Sequence, residues 1–454
     1  MNWLREHLYV FYTTVLLLHI INVFLDNEGL SYILGFCAIL MIVVSFSNAS
    51  KLFRVLGSIF LISGAFMYYE AQLSLLELPL FFTSNMSLLA FFAVLPWINS
   101  AVHVGKYDKR INELIEENVD HLGSLYARSI TTTFILVAFL NLSAISLSQE
   151  ILIKNLKKIG TSIRNAFISK TTLRAFCLAL IWSPMEIAVA LVVDYTKVSY
   201  LVYLPWLLLV AIIVLCIDIL IGRFQYKSVP YQTENIVESS LPITDIFRNV
   251  FKLLIALSLF LVTVIGVGNL FQLNFILTVT IVMIPFSFAW AIVMGKGKTF
   301  RVLSWKVWKK HMNHMQNFVV LFISLAFFSN SLNETAFLDI IQRPFFAFST
   351  YPIILFFFIL VTYFIMAMLG VHPIATVGIL LELLAPLFNV LNPISVGIVL
   401  IVSALATSGS GTYGIAVTMT SINTNQNPYT ITLRNIPFTI LMGTVGILIA
   451  YLLL

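Results

Sequence analysis

Residues 8–25, 31–48, 53–69 and 82–100 are apolar runs, each long enough to cross a bilayer, and similar runs recur to the C-terminus. Lipid is the solvent that suits such a succession. With 60% hydrophobic residues, 10% charged and a mean hydropathy of +0.98, a soluble protein of 454 residues could not solvate its surface. An all-α polytopic membrane protein is expected, with the lipid bilayer as its surroundings and no nucleic-acid partner. The net charge of +6 matters through its distribution over loops. Cys37, Cys177 and Cys216 all lie in apolar segments and read as small core residues, so neither a disulfide nor a metal site is expected. No small-residue cleavage site follows the first apolar run, and the first span is expected to be retained.

Beyond residue 100, a charged amphipathic stretch from Lys106 to Arg128 reads as a surface helix, and the apolar run 129–149 slides into the basic segment Lys154 to Arg164. Further runs lie at 172–194, 198–221, 249–267, 273–294 and 317–333; 350–388 is too long for one crossing, and 393–421 and 435–454 follow. Charge tests the topology. If 129–168 is a hairpin that enters and leaves on the cytoplasmic side and 350–388 one that does so on the opposite side, the cytoplasmic loops hold all of the 26 Lys and Arg residues except Lys197 and Arg343. The outer loops then hold Asp26, Glu28, Glu70, Glu77, Asp194, Glu334 and Asp339. An ordinary crossing at 129–149 would instead place Lys154, Lys157, Lys158, Arg164 and Lys170 outside, against the positive-inside tendency. The hairpin reading makes the two halves inverted, with the N-terminus cytoplasmic and the C-terminus outside. The basic loop Lys296–Lys310, with His311 and His314 beyond it, reads as a solvated cytoplasmic face, and Asp218 and Glu382, near segment ends, as interfacial.

Two apolar segments are interrupted where a continuous helix would avoid it, at Ile181-Trp182-Ser183-Pro184 and at Thr407-Ser408-Gly409-Ser410-Gly411. Each follows another polar break, Asn141-Leu142-Ser143 in one half and Gly370-Val371-His372-Pro373 in the other. Trp182 follows Ser143 by 39 residues, and Ser408 follows Gly370 by 38. Unwound backbone is costly in lipid, so matched breaks in two halves point to an internal duplication around a transport site. Half-helix N-termini attract anions, and half-helix C-termini with unwound carbonyls coordinate Na⁺. Ser183, Ser408, Ser410 and Thr412 supply hydroxyls, Gly409 and Gly411 permit unusual backbone angles, and Pro184 and Pro373 remove ladder donors. Taken singly, Ser183-Pro184 also fits a proline kink, and Ser408 to Gly411 also fits close helix packing. Glu186 is an intramembrane carboxyl suited to a proton, Na⁺ or a cationic group, or else one held protonated against a neighbouring hydroxyl. His372 either exchanges a proton or contacts an anion, or makes a structural bond to a loop carbonyl.

The segments Leu180-Ile181-Trp182-Ser183-Pro184-Met185-Glu186 and Val198-Ser199-Tyr200-Leu201-Val202-Tyr203-Leu204-Pro205 resemble the broken fifth helix and following span of the large membrane subunit of tripartite (TRAP) dicarboxylate transporters. Leu391-Asn392-Pro393 through Gly397, with Thr407 through Gly414, is similar to the corresponding second half. That family belongs to the ion transporter superfamily, with divalent anion/Na⁺ symporters as relatives. The resemblance covers roughly residues 100–454 in layout, with matching letters around the breaks. It implies a scaffold and a mobile transport domain with two hairpins and two unwound helices, working as an elevator. The single Pro184 departs from the family's frequent Pro-Pro pairs, and the Ser-Asn-Thr hairpin signature of the Na⁺/dicarboxylate branch is absent. The resemblance therefore does not extend to substrate class, coupling ion or a binding-protein partner.

The expected organisation is N-terminal scaffold helices over 1–100 and a first repeat over 101–221, with hairpin 129–168 and broken helix 172–194. A connecting loop with scaffold helices occupies 222–296. The second repeat, 297–454, has hairpin 350–388 and broken helix 393–421. The expected function is ion-coupled secondary transport of a small polar or anionic solute, with Na⁺ or H⁺ as coupling ion, no cofactor and no enzymatic activity, in a prokaryotic plasma membrane, with a homodimer as a further partner state. The alternative is a membrane-embedded enzyme or an accessory subunit of an envelope assembly. Against the enzyme, the chain carries no His-Glu-x-x-His motif and no leading glycine before Ser408-Gly409-Ser410-Gly411.

Overall fold

A computed structural model describes residues 2–105, 121–231, 243–371 and 373–454. Helix accounts for 83% of the described residues, which contain no strand. In chain order the helices are α1 (Asn2–Leu25), α2 (Glu28–Phe46), α3 (Lys51–Glu70), α4 (Met86–Val104), α5 (Leu122–Leu140), α6 (Leu142–Asn155), α7 (Thr161–Leu180), α8 (Ile187–Thr196), α9 (Tyr200–Tyr226) and α10 (Ile243–Phe271). They continue as α11 (Phe275–Val293), α12 (Gly297–Met312), α13 (Gln316–Asn333), α14 (Phe337–Ala347), α15 (Pro352–Met368), α16 (Pro373–Leu384), α17 (Pro393–Ser408), α18 (Ile415–Thr424) and α19 (Pro428–Leu452). Among the described residues, 8 helical segments are long and apolar enough to cross a membrane: His7–Leu25, Glu28–Phe46, Lys51–Glu70, Leu78–Val104, Tyr200–Tyr226, Phe251–Phe271, Phe275–Val293 and Pro428–Leu452. Several are apolar all round yet little buried by protein, Tyr200–Tyr226 for only 28% of its most apolar window, as a lipid-facing helix must be.

Two compact units divide the chain. The first comprises Met1–Ala101, Thr263–Ala347 and Gly378–Ala385. In it α13 packs on α2 and α3, where Gly57 and Gly64 let Val320 and Phe327 approach. Phe82 stacks on Phe327 at 4.4 Å and Phe92 on Phe318 at 4.2 Å, aromatic burial that binds these helices together. The expected basic loop at Lys296–Lys310 is instead mostly the helix α12, bent by 56° from α13. Its last turn carries Lys309, Lys310 and His311, cations that suit the negative end of the helix dipole. His311 is not a solvated loop residue: its Nε2 lies 3.1 Å from the Phe92 carbonyl.

The second unit, Val102–Val262, Phe348–Val377 and Pro386–Leu454, holds the breaks. The first hairpin begins at Leu122, so Arg128 lies inside its first arm and not at the end of a surface helix. Its arms α5 and α6 pack on each other and are divided at Asn141, whose φ of 49° is a left-handed value that L residues seldom adopt. The following helix α7 starts at Thr161, earlier than the expected 172. The unit repeats a pattern. α7 unwinds over Ile181–Glu186 and resumes as the ten-residue α8, while α17 unwinds after Ser408 and resumes as the ten-residue α18. At 1.5 Å per residue each short helix spans roughly 15 Å, about half a hydrocarbon core. Both end in a left-handed residue, Lys197 and Asn425, and both lead into a long helix, α9 and α19. α5 packs on α7 and α9 as α15 packs on α17 and α19. The second hairpin is less uniform, since α15 belongs to this unit whereas α16 is divided between units after Val377.

Candidate functional site

The first break is a short unwound turn. Ser183 N–H donates to the Leu180 carbonyl at 3.1 Å, Glu186 N–H to the Ser183 carbonyl at 3.1 Å, and Met185 N–H to Ser183 Oγ at 3.3 Å. The buried Ser183 hydroxyl thus serves the turn itself, Pro184 is buried beside it, and Tyr200 Oη donates to the Trp182 carbonyl at 2.5 Å. Glu186 stands at the N-cap of α8, where the helix dipole favours negative charge. Its carboxyl lies near the amides of Ile187 and Ala188 and the side chain of Asn141, without a capping hydrogen bond to the helix. The strained hairpin tip therefore touches the carboxyl of the break that follows it. Ser143, the second residue of α6, is exposed.

The second break is tighter. The Thr407 carbonyl accepts from the amides of Ser410 and Gly411 at 3.1 and 2.8 Å, and Gly414 N–H returns to the Gly411 carbonyl at 2.9 Å. Gly409 is needed for contact: a Cβ there would lie 2.6 Å from Cys177 Sγ and 3.3 Å from the Leu173 carbonyl on α7. Ser408 Oγ bonds back to the Ala404 carbonyl at 3.2 Å. Ser410 and Thr412, expected to face a solute, are buried against α19: Thr439 Oγ1 lies 2.9 Å from Ser410 Oγ, and the Thr412 and Thr432 hydroxyls are 3.0 Å apart. The second tip meets this break as the first tip meets its own. Gly370, with φ +84°, lies against Tyr413, and Gly411 lies against Ala367 near the end of α15. Pro373 is half-buried at the start of α16, and His372 lies outside the described residues.

Three features escaped sequence reasoning. Trp182 is only 8% exposed, and its indole N–H has no hydrogen-bond partner among the described residues. Its ring lies 5.9 Å from that of Phe134 on α5. The second feature is a polar seam between α6 and α18. Buried Gln149 donates to Thr172 Oγ1 at 3.0 Å and Thr420 Oγ1 at 2.8 Å, and Asn423 Nδ2 donates to Gln149 Oε1 at 2.9 Å. Ser143, Ser146 and Gln149 at three-residue spacing were the available signal. The third is a buried ion pair. Arg174 Nη1 meets Asp218 Oδ1 at 2.5 Å, Tyr126 Oη donates to Asp218 Oδ2 at 2.7 Å, and Arg174 also reaches Asn435 Oδ1 and the Arg434 carbonyl. Asp218 is 1% exposed, so its place near a helix end does not put it in the interface; it joins α5, α7, α9 and α19.

No group of three or more metal-ligating side chains occurs among the described residues. Chemically, the two breaks bring together one carboxyl, a buried indole donor, hydroxyls and unwound backbone. No family model matches the chain, and no curated protein matches it.

Proposed function

We propose that the second unit is the transport module of an ion-coupled secondary transporter for a small polar or charged solute, built from two inverted repeats and working as an elevator, with the first unit as its scaffold. The reading rests chiefly on one observation: in each half the hairpin tip meets the unwound helix of that same half, Asn141 on Glu186 and Gly370 on Tyr413. Two such junctions in one compact unit are what a midplane site formed by discontinuous helices needs. The repeated order of long helix, tip, broken helix, left-handed cap and long span supports the duplication, and the sequence charge pattern supports its inversion. Glu186, the carboxyl at the junction, takes the cationic partner, either the coupling ion or a charged group of the solute.

Reconstituted protein should accumulate a labelled solute under an imposed Na⁺ or pH gradient. Glu186→Gln should change the ion dependence or the solute affinity of that uptake. Uptake with both unchanged in the variant would remove Glu186 from the mechanism, and failure to move any polar solute under either gradient would refute transport.

A further inference from the structure

The first break holds two unmet chemical demands of opposite kind. Glu186 is an acceptor when ionised, and its neighbours at Asn141 and the start of α8 are neutral groups that carry no charge to balance it. It makes no ion pair among the described residues. The buried guanidinium on the preceding helix, Arg174, is already taken by Asp218. An intramembrane carboxylate without a counter-charge is costly, and either a proton or a bound cation relieves that cost. Four residues earlier, in the same unwound turn, the Trp182 indole can only donate, is more than nine-tenths buried, and lacks an acceptor among the described residues. An orphaned buried donor favours a bound acceptor for the same reason that the carboxylate favours a cation.

We infer that the solute recognised at this break is zwitterionic, carrying an ammonium group that pairs with Glu186 and a carboxylate or equivalent acceptor that takes the Trp182 N–H. A dicarboxylate meets one demand and opposes the other. A simple cation such as Na⁺ meets Glu186 but leaves the indole orphaned. The aromatic pair of Trp182 with Phe134 adds ring faces of the kind that attract an alkylammonium. The second break contributes hydroxyls and no charge in its described residues, so the discrimination resides in the first. This inference rests on the transporter reading and narrows its solute class.

The test uses full-length purified protein. Thermal unfolding is followed with alanine, leucine and 4-aminobutyrate as zwitterions, succinate as a dianion, choline as a cation, and NaCl against KCl, since a ligand of the folded state raises its apparent stability. At least one zwitterion should raise the Tm and be taken up by proteoliposomes, whereas succinate and choline should do neither. Glu186→Gln should weaken the zwitterion's apparent affinity by roughly ten- to a hundred-fold, as expected for losing a hydrogen bond to a charged group. Trp182→Phe, which keeps an aromatic ring and removes the donor, should weaken it by about three- to tenfold. Glu186→Asp keeps the charge and should retain part of the response, which separates loss of charge from loss of folding.

Stabilisation and uptake of succinate with no zwitterion effect would overturn the inference and leave the transporter reading standing. So would a Na⁺-only stabilisation that Glu186→Gln abolishes, or zwitterion binding that both variants retain in full. No stabilisation and no uptake with any probe would overturn both.

Discussion

The two breaks use the same backbone device for different ends. At Ile181–Glu186 the helix unwinds and leaves a carboxyl and an indole N–H without ion-pair or acceptor partners among the described residues. At Ser408–Gly414 it unwinds and its hydroxyls are spent on protein: Ser410 on Thr439, Thr412 on Thr432, Ser408 on its own helix. The first break has chemistry to offer a ligand, whereas the second is shaped mainly by close approach, with Gly409 on Cys177 and Gly411 on Ala367. Unwound backbone alone does not make a site; what matters is which side chains the surrounding helices leave unsatisfied.

That contrast can be broken or sharpened by substitution. The largest effect should come from Glu186→Ala, which removes the only carboxyl described at either break and should lower solute affinity by roughly ten- to a hundred-fold while the protein still folds; binding isotherms on variant and parent decide it. Next, Gly409→Val should cost about 1–3 kcal/mol of stability through overpacking, because its first added carbon already falls 2.6 Å from Cys177 Sγ, and pairing it with Cys177→Ala should recover part of the loss in a denaturation midpoint. Thr439→Val should cost about 1 kcal/mol, since it deprives Ser410 of its partner, yet leave solute affinity within twofold. A large affinity loss there would mean that the second break binds ligand after all. Smallest is Tyr429→Phe, which cuts the exposed 2.7 Å contact with Tyr413 and should move stability by no more than about 0.5 kcal/mol in thermal melts.

Much of this layout was legible in the sequence because lipid punishes irregular backbone. Spans announce themselves by length, and the four polar interruptions stand out against leucine and phenylalanine. Glu186 was visible for the same reason, being a charge in the wrong solvent. Direction was not legible. Ser410 and Thr412 sit in the unwound segment that the sequence marks but turn to α19, and no spacing rule says which way an unwound residue points. The Arg174–Asp218 pair was hidden because its members lie near segment ends, where Arg174 reads as a loop charge and Asp218 as interfacial. Gln149 was overlooked on a hairpin arm judged by its hydropathy, although its amide ties α6 to α7 and α18.

The Arg174–Asp218 pair also bears on how the chain is made. Asp218 enters the bilayer toward the end of the 27-residue α9, where its charge costs at most the roughly 2.5–3.5 kcal/mol that insertion scales give a charge at a helix centre. Synthesis runs from the N-terminus, so α7 with its guanidinium leaves the ribosome before the carboxylate that neutralises it. Each helix is a poorer independent passenger than its hydropathy suggests, and the two are best delivered to lipid together.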